Sequence, residues 1–227
     1  MDLSALALSM KLAGLTTAVL VVLGLPLASW LATTRFRGRF LVEAVVALPL
    51  VLPPTVLGFY LLVGLGPRTA PGGLFEAVLG HPFPFSFAGL LVASVLYSLP
   101  FAVQPFAGAL AGVDRRLVEA SHTLGVSRLG TFFKVTLPLA WPGVLAGAVL
   151  SFAHTLGEFG VVLMVGGNIP GRTRTMSIAI FDHVEALEYG AAHRTAGVLL
   201  LVSFAVLALV YGLQGLQRGR LFSWTGR

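Results

Sequence analysis

Long uncharged stretches, separated by short charged segments, constrain this chain more than any other feature. Residues 12–34, 44–67 and 195–217 contain no Lys, Arg, Asp or Glu. A helix rises about 1.5 Å per residue, so roughly 20 residues cross the ~30 Å hydrocarbon layer of a bilayer. Only 11% of the residues are charged, whereas a soluble domain carries about 25%. The pattern predicts an all-α, polytopic membrane protein.

Five membrane spans are predicted within one transmembrane domain at 9–217. The apolar run of the first span is longer than the ~7–15 residue core of a cleaved signal peptide, so we expect a retained helix. Pro53 and Pro54 lie in the middle of the second span and should kink or break it. The break serves either simple bending for packing or a flexible functional segment. The predicted spans are 10–33, 41–64, 86–110, 139–163 and 195–217.

The distribution of basic residues predicts the orientation of these spans, because Lys and Arg concentrate in cytoplasmic loops. Ten of the fifteen basic residues follow the first span, lie between the third and fourth, or follow the fifth. Five spans place these three segments on one side, so the N-terminus should lie outside and the C-terminus in the cytoplasm. The net charge of +6 then reflects topology, and no nucleic-acid partner is expected. The ten residues are Arg35, Arg37, Arg39, Arg115, Arg116, Arg128, Lys134, Arg218, Arg220 and Arg227.

The segment at 112–137 should form two short amphipathic helices on the inner surface of the membrane. Asp114 is a suitable N-cap, Gly125 a suitable stop, and Ser127 a cap for a second helix that ends before Pro138. The letters E-A-S-H-T-L-G-V-S-R also resemble a DNA-binding helix-turn-helix. That motif needs a recognition helix free to enter the major groove, which a short loop held by a span at each end does not allow. Val113, Leu117, Ala120 and Leu124 recur at helical spacing.

Two ionisable side chains fall at membrane depth in the fourth-span region. Glu158 and His154 are four residues apart, hence on one helical face. A buried ionisable group in a membrane is a functional hypothesis by default, and here it predicts a pathway or gate residue. The alternative is a structural anchor, with Glu158 paired across a dimer or with His154.

Motifs for chemistry are absent from the sequence. The chain contains no cysteine, no G-x-x-x-x-G-K-[ST] phosphate loop and no H-E-x-x-H, so thiolate metal sites, nucleotide binding and zinc-protease chemistry are not expected. Asp182 and His183 are adjacent and do not share a helical face, so no metal site is predicted. We expect no catalytic residue and no cofactor in this chain. Residues 175–189 should form a re-entrant or interfacial helix, and 71–80 a loop that can contain a short outer helix.

The cytoplasmic segment carries a family resemblance. E-A-x-x-x-L-G, followed about a dozen residues later by L-P, resembles the motif of permease subunits in bacterial ABC importers, with Ser121 where the family has a second alanine. In that family the first short helix docks into a groove on a separate ATPase subunit, and Leu137–Pro138 should end the second helix. The residues assigned to ATPase coupling by this resemblance are Glu119, Ala120, Ser121, Gly125, Leu137 and Pro138.

Three further phrases resemble molybdate ABC permeases: L-P-L-V-L-P-P-T-V-L-G at 48–58, L-G-E-F-G at 156–160 and N-I-P-G-R-T-R-T at 168–175. The resemblance implies a bacterial or archaeal cytoplasmic-membrane homodimer, two ATPase subunits that hold ATP–Mg, and an external binding protein that delivers the oxyanion. Arg172 and Arg174 then either attract the oxyanion or dock the binding protein, or are ordinary solvated loop charges. Pro53, Pro54, His154 and Glu158 complete the pathway or gate candidates.

Other functions remain open from the sequence. The same machine can carry tungstate, sulfate or thiosulfate. A stand-alone secondary transporter is a different class, and such proteins often show internal repeats, of which none is visible in these 227 residues. An intramembrane enzyme would need a nucleophile–base pair or a metal triad at membrane depth, and no spacing in the chain assembles one.

Overall fold

The computed structural model describes residues 2–222, without the side chains of residue 210 and of 213–222. Within this part of the chain every regular element is a helix, which confirms the predicted all-α class. Four of these helices are long and apolar enough to cross a membrane, and a bent pair of helices, counted as one span, brings the number to five. The side chains of Arg218 and Arg220, and the whole of Arg227, lie outside the described residues.

The helices follow one another through short connections. A π-helical segment, Phe132–Thr136, joins α7 to α8. The elements in chain order are α1 (Leu3–Thr33), α2 (Arg39–Val51), α3 (Pro54–Gly64), α4 (Ala70–Leu79), α5 (Phe87–Ala111), α6 (Arg115–Thr123), α7 (Arg128–Thr131), α8 (Leu137–Gly157), α9 (Gly160–Gly166), α10 (Met176–Glu185) and α11 (Tyr189–Phe222).

Helices α1, α5 and α8 pack together at the centre of the bundle. Their contact buries Leu20, Val103, Phe106 and Val144. A Cβ atom at Gly147 would lie only 2.8 Å from the Phe106 ring, so glycine lets α8 approach α5 closely. Lipid tails are as apolar as these side chains, so close van der Waals packing at small residues is what holds membrane helices together.

Two of the long helices begin at polar caps on the same end of the bundle. Asp2 Oδ1 accepts a hydrogen bond from the Ala5 N–H at 3.0 Å, and Ser86 Oγ accepts one from the Gly89 N–H at 3.0 Å. Such caps satisfy N–H groups that have no partner within the helix. The first helix therefore begins at Leu3, earlier than the predicted start at residue 10.

The second span, predicted at 41–64, is broken. Helices α2 and α3 meet at an angle of 113°, and Leu52 and Pro53 between them are extended, with ψ angles of 134° and 137°. A proline has no N–H for the helical ladder, and the residue before a proline avoids the helical conformation. The break that Pro53 and Pro54 predict is therefore present.

The fourth span differs from its prediction at both ends. Its helix is continuous from Arg128 to Gly157, so the prediction that a second short helix ends at Leu137–Pro138 is wrong. Pro138 has no N–H to donate, and the ladder widens before it into a π turn in which the Leu137 N–H donates to the Phe132 carbonyl. The helix stops at Gly157 and residues 160–163 belong to α9, so the predicted span of 139–163 is also wrong at its C-terminal end.

Short helices cover the end of the bundle opposite α6. Helix α10 is ten residues long, too short to cross a bilayer, and packs on α1 and α11 through Ala5, Met176 and Ala179. The Met176 N–H donates to Ser9 Oγ at 2.8 Å. Helix α11 begins at Tyr189, six residues before the predicted fifth span.

Candidate functional site

Helix α6 lies at one end of the bundle and has well-defined termini. Asp114 Oδ1 accepts a hydrogen bond from the Arg116 N–H at 2.9 Å. Beyond the other end Gly125 has a φ angle of 80°, a conformation that favours glycine and commonly ends helices. The helix begins and ends where the sequence predicts.

Apolar side chains of α6 and of Leu124, which follows it, point away from the rest of the chain. Leu117 and Leu124 are 49% and 83% exposed, and Glu119 and Ala120 are exposed beside them. Exposed apolar side chains grouped together and rimmed by charge mark surfaces that bind other proteins or membranes. No element within residues 2–222 covers this stripe, which we call the α6 face.

The buried side of α6 is fastened to the fourth-span helix. Ser121 is 7% exposed, and its Oγ lies 2.9 Å from Thr131 Oγ1 in α7. The Val126 N–H also donates to the Ser121 carbonyl at 3.1 Å. The serine that replaces the second alanine of the family motif therefore has a defined partner, which an alanine would lack. Since α7 continues into α8, this contact joins α6 directly to the fourth-span helix.

The two helix breaks of the protein pack against each other. Helix α3, which follows the first break, contacts α9, which follows the second. A Cβ at Gly58 would lie 2.6 Å from Met164 Cβ, and a Cβ at Gly160 would lie 2.7 Å from Pro54 Cβ. Real Cβ contacts are longer than this, so only glycine fits at both positions. We call this contact the paired breaks.

Glu158 lies at the second break and is buried. It is 5% exposed and follows the last residue of α8 in an extended conformation, with ψ of 136°. The Ser94 hydroxyl lies beside the carboxyl group, yet within the described residues neither carboxylate oxygen nor Ser94 Oγ meets hydrogen-bond geometry with a partner. A buried polar group without a hydrogen bond destabilises the surrounding structure, which favours a functional reason for its presence.

His154 belongs to a separate polar cluster one turn before the break. Its Nδ1 lies 2.9 Å from Ser98 Oγ, and the same hydroxyl lies 2.9 Å from Thr155 Oγ1. The imidazole stacks on Phe101 with ring centroids 3.8 Å apart. Within the described residues His154 is therefore bonded to α5 and forms no ion pair with Glu158. The predicted alternative in which Glu158 is anchored by His154 is not formed there.

Arg174 and Arg172, two residues apart, have different surroundings at the end of the bundle opposite α6. The Arg174 guanidinium donates to Asp182 and lies 4.0 Å from Asp2 Oδ2, so two carboxylates balance its charge. Arg172 has no ion pair within the described residues and lines a cavity with Lys11 and His81.

Comparison with known proteins identifies the family to which this architecture belongs. Residues 24–219 match the family described as "Binding-protein-dependent transport system inner membrane component". The chain belongs to this family. It is accordingly a multi-pass membrane subunit of an ABC importer and not an enzyme.

Relatives and a solved structure agree with this family. The chain is 54% identical to the "Molybdenum transport system permease protein ModB" of Azotobacter vinelandii, over 96% of each chain. It is 38% identical to the protein of the same description in Escherichia coli K12, over 91% of this chain and 90% of that one. The fold is similar to that of the MetNI methionine ABC transporter in an inward-facing conformation, with a TM-score of 0.75, 17% identity and 94% of each chain covered.

Several residues of the α6 contact, the paired breaks and the His154 cluster were not identified from the sequence. Ser94, Ser98 and Thr131 have no local signal in the sequence, because each lies beside a residue that is at least ten positions away along the chain. Gly58 and Gly160 lie inside the quoted family phrases, yet nothing in the sequence indicates that the two phrases touch.

Proposed function

We propose that two copies of this chain form the membrane pathway of an ATP-driven importer that takes up molybdate delivered by an external binding protein. The substrate rests on the relatives described as molybdenum transport permeases. The coupling mechanism rests on one observation, the exposed α6 face beside a firmly bonded buried side. Tungstate, sulfate and thiosulfate are the alternative substrates, because all are small oxyanions.

ATP–Mg is held by two separate ATPase subunits that dock on the α6 face. Leu117, Ala120 and Leu124 supply the apolar contact, and Glu119 supplies a charge for a basic partner residue. The Ser121–Thr131 hydrogen bond then carries movement of the ATPase into α7 and α8. The buried small residue Ser121 keeps the backbones of α6 and α7 close enough for this coupling.

Docking at α6 defines the orientation of the whole chain. The ATPase works in the cytoplasm, so the α6 end of the bundle faces inwards. Helix α1 begins at the opposite end, which places the N-terminus outside, and an odd number of spans returns the C-terminus to the cytoplasm. The outer end then contains Arg172, Arg174 and helices α4 and α10.

The paired breaks form the gate. Pro53 and Pro54 interrupt one helix and Glu158 interrupts the other, so both backbones can change conformation there without loss of regular helical hydrogen bonds. Movement of α8, which ends beside Glu158, pulls on α9 and separates it from α3. An ionised carboxylate repels a dianion such as molybdate, so Glu158 acts in the gate and not as a ligand. His154 fixes the end of α8 through Ser98.

The balanced charge of Arg174 assigns it a structural role. Its bonds to Asp182 and Asp2 hold the segment before α10 to the start of α1. Arg172, without an ion pair, is the arginine that contributes positive potential at the outer end.

The decisive experiment measures ATP hydrolysis in proteoliposomes that contain this chain, its ATPase and its binding protein. Loaded binding protein should stimulate hydrolysis several-fold, and Glu119→Lys should abolish that stimulation because it reverses a charge on the α6 face. Glu76→Lys is the matched control, since Glu76 is exposed on α4 at the opposite end, and should respond like the parent.

Two outcomes would overturn the proposal. If no ATPase associates and oxyanion still crosses the membrane, the chain is a stand-alone carrier. If sulfate-loaded binding protein stimulates hydrolysis and molybdate-loaded protein does not, the importer stands but its substrate is sulfate.

A further inference from the structure

A basic cavity opens at the end of the bundle opposite α6. It has a volume of about 590 Å³, within the range of cavities that hold molecules of several tens of atoms. Its walls come from three separate parts of the chain: the first turns of α1, the segment before α5, and the loop at 171–172. The lining includes Lys11, His81 and Arg172 together with Leu8 and Phe87.

The positive charge of this cavity is not balanced within the described residues. None of the residues that line it is acidic, and neither Lys11 nor Arg172 forms an ion pair there. The Lys11 ammonium lies 4.6 Å from the centre of the Phe87 ring, a cation–π contact that orients the amine but leaves its charge available. The contrast with Arg174, which has two carboxylate neighbours, shows that this cavity is suited to an anionic group.

The side-chain hydroxyl groups of the cavity already have hydrogen-bond partners. The Ser86 hydroxyl donates to the Phe83 carbonyl at 2.9 Å, and the Ser4 hydroxyl donates to Asp2 Oδ1 at 2.6 Å. A small free oxyanion needs donors on all sides to replace its hydration shell. Apolar side chains at Ala7, Leu8, Phe87 and Ala88 form much of the wall, so the cavity suits an anion that carries an apolar body.

An apolar stripe of α1 continues along the helix from Lys11. Leu15 is 40% exposed and Val22 68% exposed, and they lie four and eleven positions after Lys11, which puts all three residues on one side of the helix. Lysine at the end of such a stripe extends its amine towards the membrane surface while its methylene chain stays in the apolar region. The cavity therefore supplies positive charge for an anionic headgroup, and the stripe supplies an apolar surface beside it.

We propose that this cavity binds the phosphodiester of an anionic phospholipid, with the acyl chains along Leu15 and Val22. Lys11 and Arg172 pair with the phosphate oxygens, as basic pockets between membrane helices pair with lipid headgroups. His81 lines the rim. The lipid belongs to the outer leaflet, which rests on the orientation given under the proposed function, whereas the binding itself does not depend on transport.

Native mass spectrometry of the full-length chain, purified in detergent, tests the proposal. Phosphatidylglycerol and phosphatidylcholine are added in equal amounts, and the lipid copies retained after collisional removal of detergent are counted. The parent should retain phosphatidylglycerol at least tenfold more than phosphatidylcholine. Lys11→Gln combined with Arg172→Gln should lose this preference.

Two matched variants separate the cavity from general charge and from misfolding. Arg68→Gln combined with Arg194→Gln removes the same charge from exposed positions outside the cavity and should behave like the parent. Lys11→Arg keeps the charge and should retain the lipid. Equal retention of both lipids by the parent, or loss of preference in both double variants, would overturn the proposal.

A further experiment tests whether a free oxyanion, instead of a lipid, occupies the cavity. Molybdate and inorganic phosphate are added at millimolar concentration to delipidated protein. If molybdate binds with the same dependence on Lys11 and Arg172 and displaces the lipid, the cavity is a site for the transported anion and the lipid assignment is wrong. This assay contains no ATPase and no binding protein, so its failure is distinct from failure of the proposed importer function.

Discussion

The α6 face and the paired breaks differ in which side chains they bury and which they expose. On α6 the apolar residues Leu117 and Leu124 are exposed and the polar residue Ser121 is buried with a hydroxyl partner. At the paired breaks glycine and proline pack tightly, and Glu158 is buried with both oxygens outside hydrogen-bond geometry. Within the described residues, the α6 face has its buried polar group bonded but leaves an apolar surface exposed. The paired breaks are covered but contain a buried carboxyl group outside hydrogen-bond geometry.

The comparison indicates whether each region contributes to the free energy of folding or to that of assembly with a partner. A surface that leaves apolar groups in the open gains free energy only when a partner covers it, so changes there should affect assembly more than folding. A tightly packed contact between two interrupted helices contributes within the chain, so changes there should affect both the fold and the movement of the gate.

Gly160→Ala should have the largest effect. Its Cβ would lie 2.7 Å from Pro54 Cβ, and overpacking of this kind destabilises a protein by about 1–3 kcal/mol. We expect molybdate uptake by proteoliposomes to fall by about tenfold or more, because α3 and α9 are forced apart. Gly197→Ala, where nothing lies within 4 Å, is the control, and equal uptake by the two variants would show that the breaks do not need close contact.

Leu124→Asp should weaken binding of the ATPase with little effect on the fold. The side chain is 83% exposed, so the membrane subunit alone should keep the thermal stability of the parent. A loss of about 1.4 kcal/mol at the interface lowers affinity about tenfold, measured by titrating detergent-solubilised ATPase against the tagged chain. Leu74→Asp, at a 67% exposed leucine of α4, should bind normally, and equal loss there would remove the distinction between the two ends.

Glu158→Gln should keep or raise the thermal stability of the chain. The amide has the same shape and carries no charge, so it avoids the cost of burying an ionised carboxylate. Uptake should nevertheless fall if the carboxyl group works in the gate. The measurements are the melting temperature in detergent and the initial uptake rate. A large drop in melting temperature would show that Glu158 has a stabilising partner in the assembled protein.

Ser121→Ala should have the smallest effect of the four changes on transport. It removes one buried hydroxyl–hydroxyl contact, and such a change destabilises a protein by roughly 0.5–1.5 kcal/mol. We expect a small decrease in the melting temperature and a partial loss of stimulated ATP hydrolysis, since α6 is held less firmly to α7. Ser121→Thr, which keeps a hydroxyl group, is the control, and full stimulation in the alanine variant would mean that backbone contacts alone transmit the movement.

Much of the fold follows from the order of residues along the chain. Uncharged runs predicted five spans, Pro53–Pro54 predicted the break in the second, and Asp114 and Gly125 predicted the ends of α6. These signals act locally, since a proline without an N–H or a glycine with positive φ changes the backbone at its own position. The same reasoning failed at Pro138, where a π turn accommodates a proline that the sequence suggests should end a helix.

The sequence by itself determined that this protein is a polytopic helical membrane subunit with a capped amphipathic helix before its fourth span, because apolar length, capping and family motifs are written in consecutive residues. The tertiary structure alone decided that the two helix breaks touch and that Ser121 bonds Thr131 while His154 bonds Ser98. It also decided that, within residues 2–222, Arg174 is balanced by carboxylates while Arg172 is not. These facts depend on distances between residues far apart in the chain. Those distances are set by the packing of whole helices, for which a single position carries no signal.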